Sequence, residues 1–323
     1  MEKINSFLKS KLLKIIVIVF LFIIIWKYNK LNSQSKLFEK LSIPECFVYN
    51  KDAYKNECIN LYKKLRYPNI SLIIKPPLRI PPGDLLNEFI QNGEMPIEKY
   101  WYFNEVYSDS SDSTSFNKQE IKLKDFSKWL NLVKNNRPLH YDNTELQRIM
   151  KKYSNRIKNN SMLIIGTQIP WVEAISYELL ASKITTLDYT HKKYELSLSN
   201  RLEWFHVNDY LDDLILNNKI ELFDNSASFS SIEHSGLGRY GDPLAPNGDI
   251  EAVQQVHCLL KKNGLFFLGL PTSADDSSYI EFNVHRVYGS KRLNRLFKGW
   301  TFIQKVRAED WHSVFVLKKN SVC

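Results

Sequence analysis

The segment Ser231-Ile-Glu-His-Ser-Gly-Leu-Gly-Arg-Tyr-Gly-Asp-Pro-Leu-Ala-Pro-Asn-Gly-Asp249 gathers more reactive side chains than any other stretch of the chain. Glu233 and His234 stand side by side at the end of an otherwise apolar run. Imidazole titrates near neutrality, so His234 suits a general base, and Glu233 makes with it a candidate catalytic pair. Arg239 offers a planar fork for an anionic or hydroxylated substrate, and Asp242 is a second candidate substrate ligand. Gly236, Gly238, Gly241 and Gly248 let backbone approach a ligand or turn sharply. The plain alternative is a long, self-bonded loop that ends in a capping Asp249. A second cluster, Phe282-Asn-Val-His-Arg-Val-Tyr-Gly289, interrupts an apolar run with His285 and Arg286. These two face the same cleft as substrate-binding groups, or they form one surface edge of a helix start. No Cys/His spacing resembles a zinc site, and no metal is expected.

Such groups need a scaffold, and from Met162 onward short apolar runs alternate with helical ones. That alternation predicts a parallel sheet with crossover helices. Strands are expected at Met162–Ile165, Ile184–Leu187, Leu202–Val207 and Leu265–Leu270, with Ile220–Phe223 and Ala227–Ile232 surrounding the fourth. Phe302–Val306 and Ser313–Leu317 read as a closing antiparallel pair. Pro170 opens a helix expected to run to about Ala181, and Asp249 is expected to cap another that stops at Asn263-Gly264. Ligands of open parallel sheets sit beyond the carboxyl ends of the strands, where Gly166, Asp188 and Asp209 fall. Asp188 follows Gly166 by 22 residues, about the interval at which an acidic residue grips a ribose hydroxyl. A turn or capping aspartate has the same appearance.

The order strand, turn, helix, Asp188, Asp209, then Phe223-Asp224, Ser230-Ser-Ile-Glu-His234 and Leu260-Lys-Lys-Asn-Gly264 resembles class I S-adenosylmethionine-dependent methyltransferases. More closely, the runs Ser230–Pro243 and Phe282–Gly289 resemble domain-of-unknown-function family 268, a nematode-rich, methyltransferase-like family. The resemblance covers roughly residues 160–310. It implies a Rossmann-like α/β fold, a mostly parallel sheet with helices on both faces and an antiparallel closing strand. It also implies S-adenosylmethionine as cofactor, with Asp188 on the ribose, Asp209 at the adenine edge and Gly166 in the first turn. The pattern departs at that turn, Ile164-Ile-Gly-Thr-Gln-Ile-Pro170, where Ile164 replaces the usual acid and Gln168 and Pro170 replace glycines. Glu173, in the first turn of the following helix, is the alternative holder of the cofactor amino group.

Residues 29–160 read as an irregular stem or accessory region. They hold a proline cluster (Pro76, Pro77, Pro81, Pro82), an aromatic knot (Tyr100–Phe103, Tyr107), a Ser/Asp tract at 108–115 and two helices at Phe126–Val133 and Leu146–Ile157. The boundary of the methyltransferase-like domain (161–323) falls near residue 160. Upstream, residues 12–28 read as a transmembrane signal-anchor: Ile15–Trp26 is uninterruptedly apolar, Lys14 can snorkel, and Trp26 and Tyr28 suit the far interface. Residues 1–11 are then a short cytosolic tail. A cleaved signal peptide is the rival, with Ser33-Gln34-Ser35 as its distant cleavage site.

The sequons at Asn69 and Asn159, and a small disulfide loop between Cys46 and Cys58, place the body in the lumen of the endoplasmic reticulum or Golgi. Cys258 reads as a core residue. The chain has 323 residues and a net charge of +9. Six lysines fall in the first thirty residues; without that segment, 38 basic face 34 acidic residues, a net +4. No basic stripe marks the body, so nucleic acid is not an expected partner. Two functions follow. One is O-methyl transfer to a glycan hydroxyl or small hydroxylated acceptor. The other is a non-catalytic pseudo-methyltransferase that tethers a binding or scaffold module to the membrane. A type II glycosyltransferase ranks last, because no Asp-x-Asp motif ends a strand.

Overall fold

The computed structural model describes residues 50–66, 80–98, 119–140, 144–239, 242–308 and 311–320. Seven strands build the central sheet: β1 (Ser161–Ile165), β2 (Lys183–Asp188), β3 (Leu202–His206), β4 (Phe223–Phe229), β5 (Leu260–Pro271), β6 (Trp300–Arg307) and β7 (His312–Lys319). Their spatial order is β6-β7-β5-β4-β1-β2-β3. Neighbours among β1 to β5 pair in parallel, whereas β7 runs antiparallel to β5 and β6. This is a Rossmann-like α/β fold, a mostly parallel sheet closed by one antiparallel strand.

The apolar runs mark a sheet covered on both faces. Met162 and Ile164 of β1 enter one core with Ile184, Leu202, Phe229, Phe267 and Val316, while Leu163 enters the other with Leu187, Phe223, Phe266 and Leu317. The period of two sends alternate side chains to opposite sides. Helix α1 (Lys51–Leu65) packs on the second face with α3 (Val207–Leu216) and α4 (Gly248–Leu259). The first face is covered by α2 (Trp171–Glu178) and the helices Leu123–Lys134 and Glu145–Lys152. The described residues before β1 therefore belong to the same compact unit as the sheet. The change near residue 160 is a change of pattern, and packing crosses it. Two small sheets flank the main one: Ile97–Glu98 with Tyr279–Glu281 and His285–Val287, and Gln119–Ile121 with Lys192–Tyr194.

Helix α1 falls in the stretch read as irregular, and β4 differs from expectation in its centre. Its centre is Asn225, Ser226, Ala227 and Ser228, polar enough to split one strand into two apolar flanks on the page. The polar groups are satisfied inside: Ser226 and Ser228 hydroxyls donate to the Leu163 and Ile165 carbonyls of β1, both at 2.9 Å. Asn225 bridges a register shift, accepting from the Leu265 amide at 3.1 Å and donating to Arg156 O at 2.6 Å. Two helices are shorter than expected. α2 stops at Glu178 because Leu180 takes a left-handed φ of 62°. α4 ends at Leu259, and Asn263-Gly264 lie within β5. Asp249 is not its cap; Asn247 holds that position.

The cysteine expectation is corrected. Cys58 of α1 is bonded to Cys258 of α4, 200 residues away in sequence. The packing of α1 across α4 brings the two thiols together, which spacing along the chain does not disclose. Cys46, Asn69 and the apolar run 12–28 lie outside the described residues. Among the described residues no helix is long and apolar enough to cross a membrane.

Candidate functional site

The sheet reverses direction of growth between β1 and β4, and a cavity of about 430 Å³ opens there, at the carboxyl ends of the parallel strands. Its size suits a small molecule. Gly166 and Asp188, after β1 and at the end of β2, line it, as do His234, Arg239 and His285.

Gly166 follows β1 with a left-handed φ of 61°. A Cβ there would stand 1.8 Å from Ser231 Oγ, so the first turn touches the turn after β4 directly. We expect Gly166→Ala to cost about 2 kcal/mol, from left-handed strain and the clash together. Ser231→Gly added to it relieves only the clash, so urea midpoints should show partial recovery. Asp188 ends β2 and organises the same turn. Its Oδ2 accepts from the Thr167 amide at 3.0 Å, and its Oδ1 accepts from the Thr190 amide and hydroxyl at 2.8 and 2.6 Å. Asp209 is placed elsewhere. β3 ends at His206, whose ring nitrogen caps α3, and Asp209 is exposed on the first turn of that helix, outside the cavity lining. Val207 is the residue of this strand end that lines the cavity.

Glu173 does not reach the cavity lining. It is fully buried against the sheet, accepting from Thr186 Oγ1 at 2.8 Å, and its other oxygen has no partner. Burial lifts its carboxyl to about 8, against the pull of the Thr186 hydrogen bond. Its contribution to stability is complete below the unfolded value of 4.5 and is lost as pH climbs to about 8. Glu173→Gln should therefore gain thermal stability relative to the parent at pH 8.5 compared with pH 5, read from unfolding curves at both.

The 231–249 loop is self-bonded, and the candidate residues Glu233, His234, Arg239 and Asp242 sit on it. Gly236 approaches Ala245 so closely that a Cβ would lie 2.2 Å from its carbonyl oxygen. Asp242 Oδ2 accepts from the Gly236 and Gly238 amides at 2.6 and 3.3 Å, so this carboxylate staples the loop at the cavity wall. Arg286, assigned to substrate from sequence, is instead fully buried and outside the cavity lining. It donates to the carbonyls of Glu233, Ser235, Ala245 and Pro246 at 2.6–3.3 Å and pins both arms of the loop. Asp249 sits beneath it, bound by Arg292 Nε at 3.0 Å and the Tyr288 hydroxyl at 3.1 Å. Burial works against this carboxylate, but Arg286 and Arg292 outweigh it and hold it below its usual range.

The loop thereby fixes Glu233, His234 and Arg239. His234 Nδ1 donates to the Val284 carbonyl at 2.5 Å, which leaves the lone pair on Nε2. Nε2 lies 3.7 Å from Glu233 Oε1. Glu233 stands behind it, fully buried and outside the cavity lining, and accepts from Ser230 Oγ at 2.8 Å. Burial, then Arg239, push the His234 imidazole well below its ordinary range, and burial lifts Glu233 to about 7. At neutral pH His234 is uncharged. Arg239 Nη1 donates to the same Val284 carbonyl at 3.3 Å. His285 lines the cavity, with Nε2 3.2 Å from Glu281 Oε2, and burial followed by Arg239 lowers it to about 4.

Several cavity residues escaped the sequence reading. Four of the seven histidines of the chain line this cavity: His140, His234, His285 and His312. Trp171, Phe229, His312, Trp311, His285 and His234 form a continuous run of rings, successive centroids 4.7–6.3 Å apart. His140 extends it beside Trp171. The legible signal for Trp311 and His312 is strand direction: an antiparallel β7 begins where the parallel strands end, and His312 pairs with Pro271 at the end of β5. Gln255 of α4 also lines the cavity, and its buried Nε2 has no hydrogen-bond partner. Among the described residues no group of His, Cys, Asp or Glu is arranged to hold a metal ion.

Similar solved structures include a 1,6-didemethyltoxoflavin-N1-methyltransferase of Burkholderia thailandensis, crystallised with S-adenosylhomocysteine. It is 14% identical with a TM-score of 0.44, over 61% of this chain and 87% of that one. The N-methyltransferase NodS of Bradyrhizobium japonicum is another, 13% identical with a TM-score of 0.37 over 61% and 98%. No curated protein matches the chain. The model of the family described as Caenorhabditis protein of unknown function, DUF268, matches residues 159–321, and the chain belongs to that family.

Proposed function

We propose that this chain is a membrane-anchored methyltransferase that uses S-adenosylmethionine to methylate a hydroxyl of a glycan or small acceptor. One observation carries the reading: a single cavity at the sheet's switch point joins Asp188 to an uncharged His234 beside Arg239. The groups present fit the cofactor. A carboxylate has about four acceptor directions and Asp188 uses three internally, which leaves one for a ribose hydroxyl. The unpartnered Gln255 amide supplies a buried donor in the same wall.

When bound, that cofactor supplies an electrophilic methyl group. His234 Nε2 would take the proton of the acceptor hydroxyl as its oxygen displaces the cofactor's sulfur at the methyl carbon, the demethylated thioether leaving, and the Val284 carbonyl keeps the ring oriented. Glu233, 3.7 Å away, stabilises the imidazolium. Arg239 and His285 orient the acceptor, and positioning supplies most of the rate. The test is transfer of a labelled methyl group to hydroxylated sugars and small alcohols or phenols, with His234-dependent product. Absence of transfer to the acceptors, by protein that binds the cofactor, would refuse this acceptor chemistry.

The expected setting is a type II membrane protein with residues 12–28 as anchor and the body in the lumen. The Cys58–Cys258 bond supports an oxidising compartment, and Asn159 of the second sequon is exposed. Mass lost on glycosidase treatment and abolished by Asn159→Gln would agree; unmodified protein from a secretory host would oppose it.

One observation favours the second reading, a non-catalytic tethered module. The first turn has a single glycine, and the space a Cβ would take there belongs to Ser231. The cradle expected to approach the methionine part of the cofactor is thereby reduced. A folded chain that binds no cofactor would select this reading.

A further inference from the structure

The cavity lining is drawn from both faces of the sheet. Trp171 and Phe229 belong to the core of the first face. Leu187, with Ile165, Val207 and Ala252 packed against its cluster, belongs to the core of the second. This second wall is aliphatic. Helix α4 contributes Ala252 to it and, three residues on and so on the same helix face, Gln255. Gln255 is 8% exposed, and its Nε2 has no hydrogen-bond partner. A buried amide donor without an acceptor costs stability, and an apolar side chain of similar length would remove that cost. The helix around it is held at both ends. Asp249 is bound by Arg292 and Tyr288, and Cys258 is bonded to Cys58. The last torsion of a glutamine is broad, so the amide can turn toward an occupant of the cavity while the helix stays in place.

Asp188 borders the same wall. It follows Leu187 in β2 and pairs in register with His206, the residue before Val207. A ribose held by Asp188 therefore brings its base next to aliphatic side chains, which suit the flat face of a ring. The ring edge still needs a polar partner. The acid expected there, Asp209, is exposed and outside the lining. A carboxylate in that role would accept from an exocyclic amine, whereas the Gln255 amide donates and seeks a lone pair. We propose that Gln255 determines specificity for the nucleoside: its Nε2 donates to an acceptor nitrogen of the purine ring, with Leu187, Val207 and Ala252 against the ring face. The proposal rests on the cofactor reading given above, and it moves base recognition from the end of β3 to α4.

The experiment is calorimetric titration of the full chain and its Gln255→Met and Gln255→Glu variants, with unfolding curves of each without ligand. The ligands are S-adenosylhomocysteine, its 1-deaza, 3-deaza and 7-deaza analogues, and 5′-methylthioadenosine, which lacks the amino acid. Gln255→Met should weaken S-adenosylhomocysteine and methylthioadenosine alike by ten-fold or more. It should also raise the melting temperature of the ligand-free chain, because the orphaned donor is gone; a structural glutamine would lower stability and affinity together. Gln255→Glu, which puts an acceptor in place of the donor, should weaken both ligands at least as much. One deaza analogue should bind the parent ten-fold more weakly than S-adenosylhomocysteine, and Gln255→Met should no longer distinguish the two. Unchanged affinity in Gln255→Met, equal binding of all the deaza analogues by the parent, or a loss seen with S-adenosylhomocysteine but not with methylthioadenosine would overturn the inference and leave the cofactor reading in place. Gln255-dependent binding of methylthioadenosine by a chain that ignores S-adenosylhomocysteine would keep the inference and remove the methyltransferase reading. Folded parent protein that binds neither nucleoside would remove both.

Discussion

His234→Gln is expected to lower methyl transfer by about 10²–10⁴-fold, the usual worth of a positioned general base. The fold should survive, because a glutamine amide can still donate toward the Val284 carbonyl that the imidazole now holds. The pH profile separates a base from a positioning residue. Burial and Arg239 keep the imidazole well below its ordinary range, so the acid limb of kcat/KM should fall well below pH 6.5. Glu233→Gln should retain the Ser230 hydrogen bond and erase any inflection near pH 7, where burial places this carboxyl. Transfer within threefold of the parent by His234→Gln, in protein of unchanged melting temperature, would refuse the base assignment.

The parallel core was legible because its strands are buried on both faces and read as short apolar runs between helical segments. β1 and β2 lie within a residue of expectation for that reason. β4 was not, because Asn225, Ser226 and Ser228 hide a buried strand behind polar letters that only neighbouring carbonyls and amides explain. At the cavity, the sequence singled out a loop that lines it but could not say which of its side chains reach the lining. His234, Arg239 and His285 reach the cavity, whereas Arg286, one residue from His285, points its guanidinium at loop carbonyls. That division depends on strand alternation in a three-residue strand, too short to give a readable period. Trp311, His312 and Trp171 come from three-dimensional convergence of distant segments, and no local pattern announces it.

Cys58→Ser is expected to destabilise the chain by up to about 5 kcal/mol. The bond closes a loop of 200 residues, and the chain-entropy relation gives that figure for a loop of this length. Reduction with dithiothreitol should produce the same loss, since both remove the same constraint from the unfolded chain. Because α1 lies on α3 and α4 through Tyr62, Ile59 and Leu211, residual packing should keep it docked after the bond is gone. The urea midpoint should fall while the far-ultraviolet dichroism of the native state stays the same. Peptide mapping under non-reducing conditions should join the Cys58 and Cys258 peptides. A Cys46–Cys58 link in its place would contradict the packing of α1 on α4.

On the proposed reading, the switch-point cavity holds S-adenosylmethionine through Asp188. Calorimetric titration of S-adenosylmethionine and S-adenosylhomocysteine into the full chain tests it most directly, with Asp188→Ala and Thr190→Val in parallel. Asp188→Ala removes the proposed ribose contact and the internal hydrogen bonds together. Thr190→Val removes only one of the internal bonds. Micromolar binding of both ligands is expected, abolished by Asp188→Ala and preserved within a few-fold by Thr190→Val. No binding of either ligand by folded parent protein, or full affinity in Asp188→Ala, would contradict it.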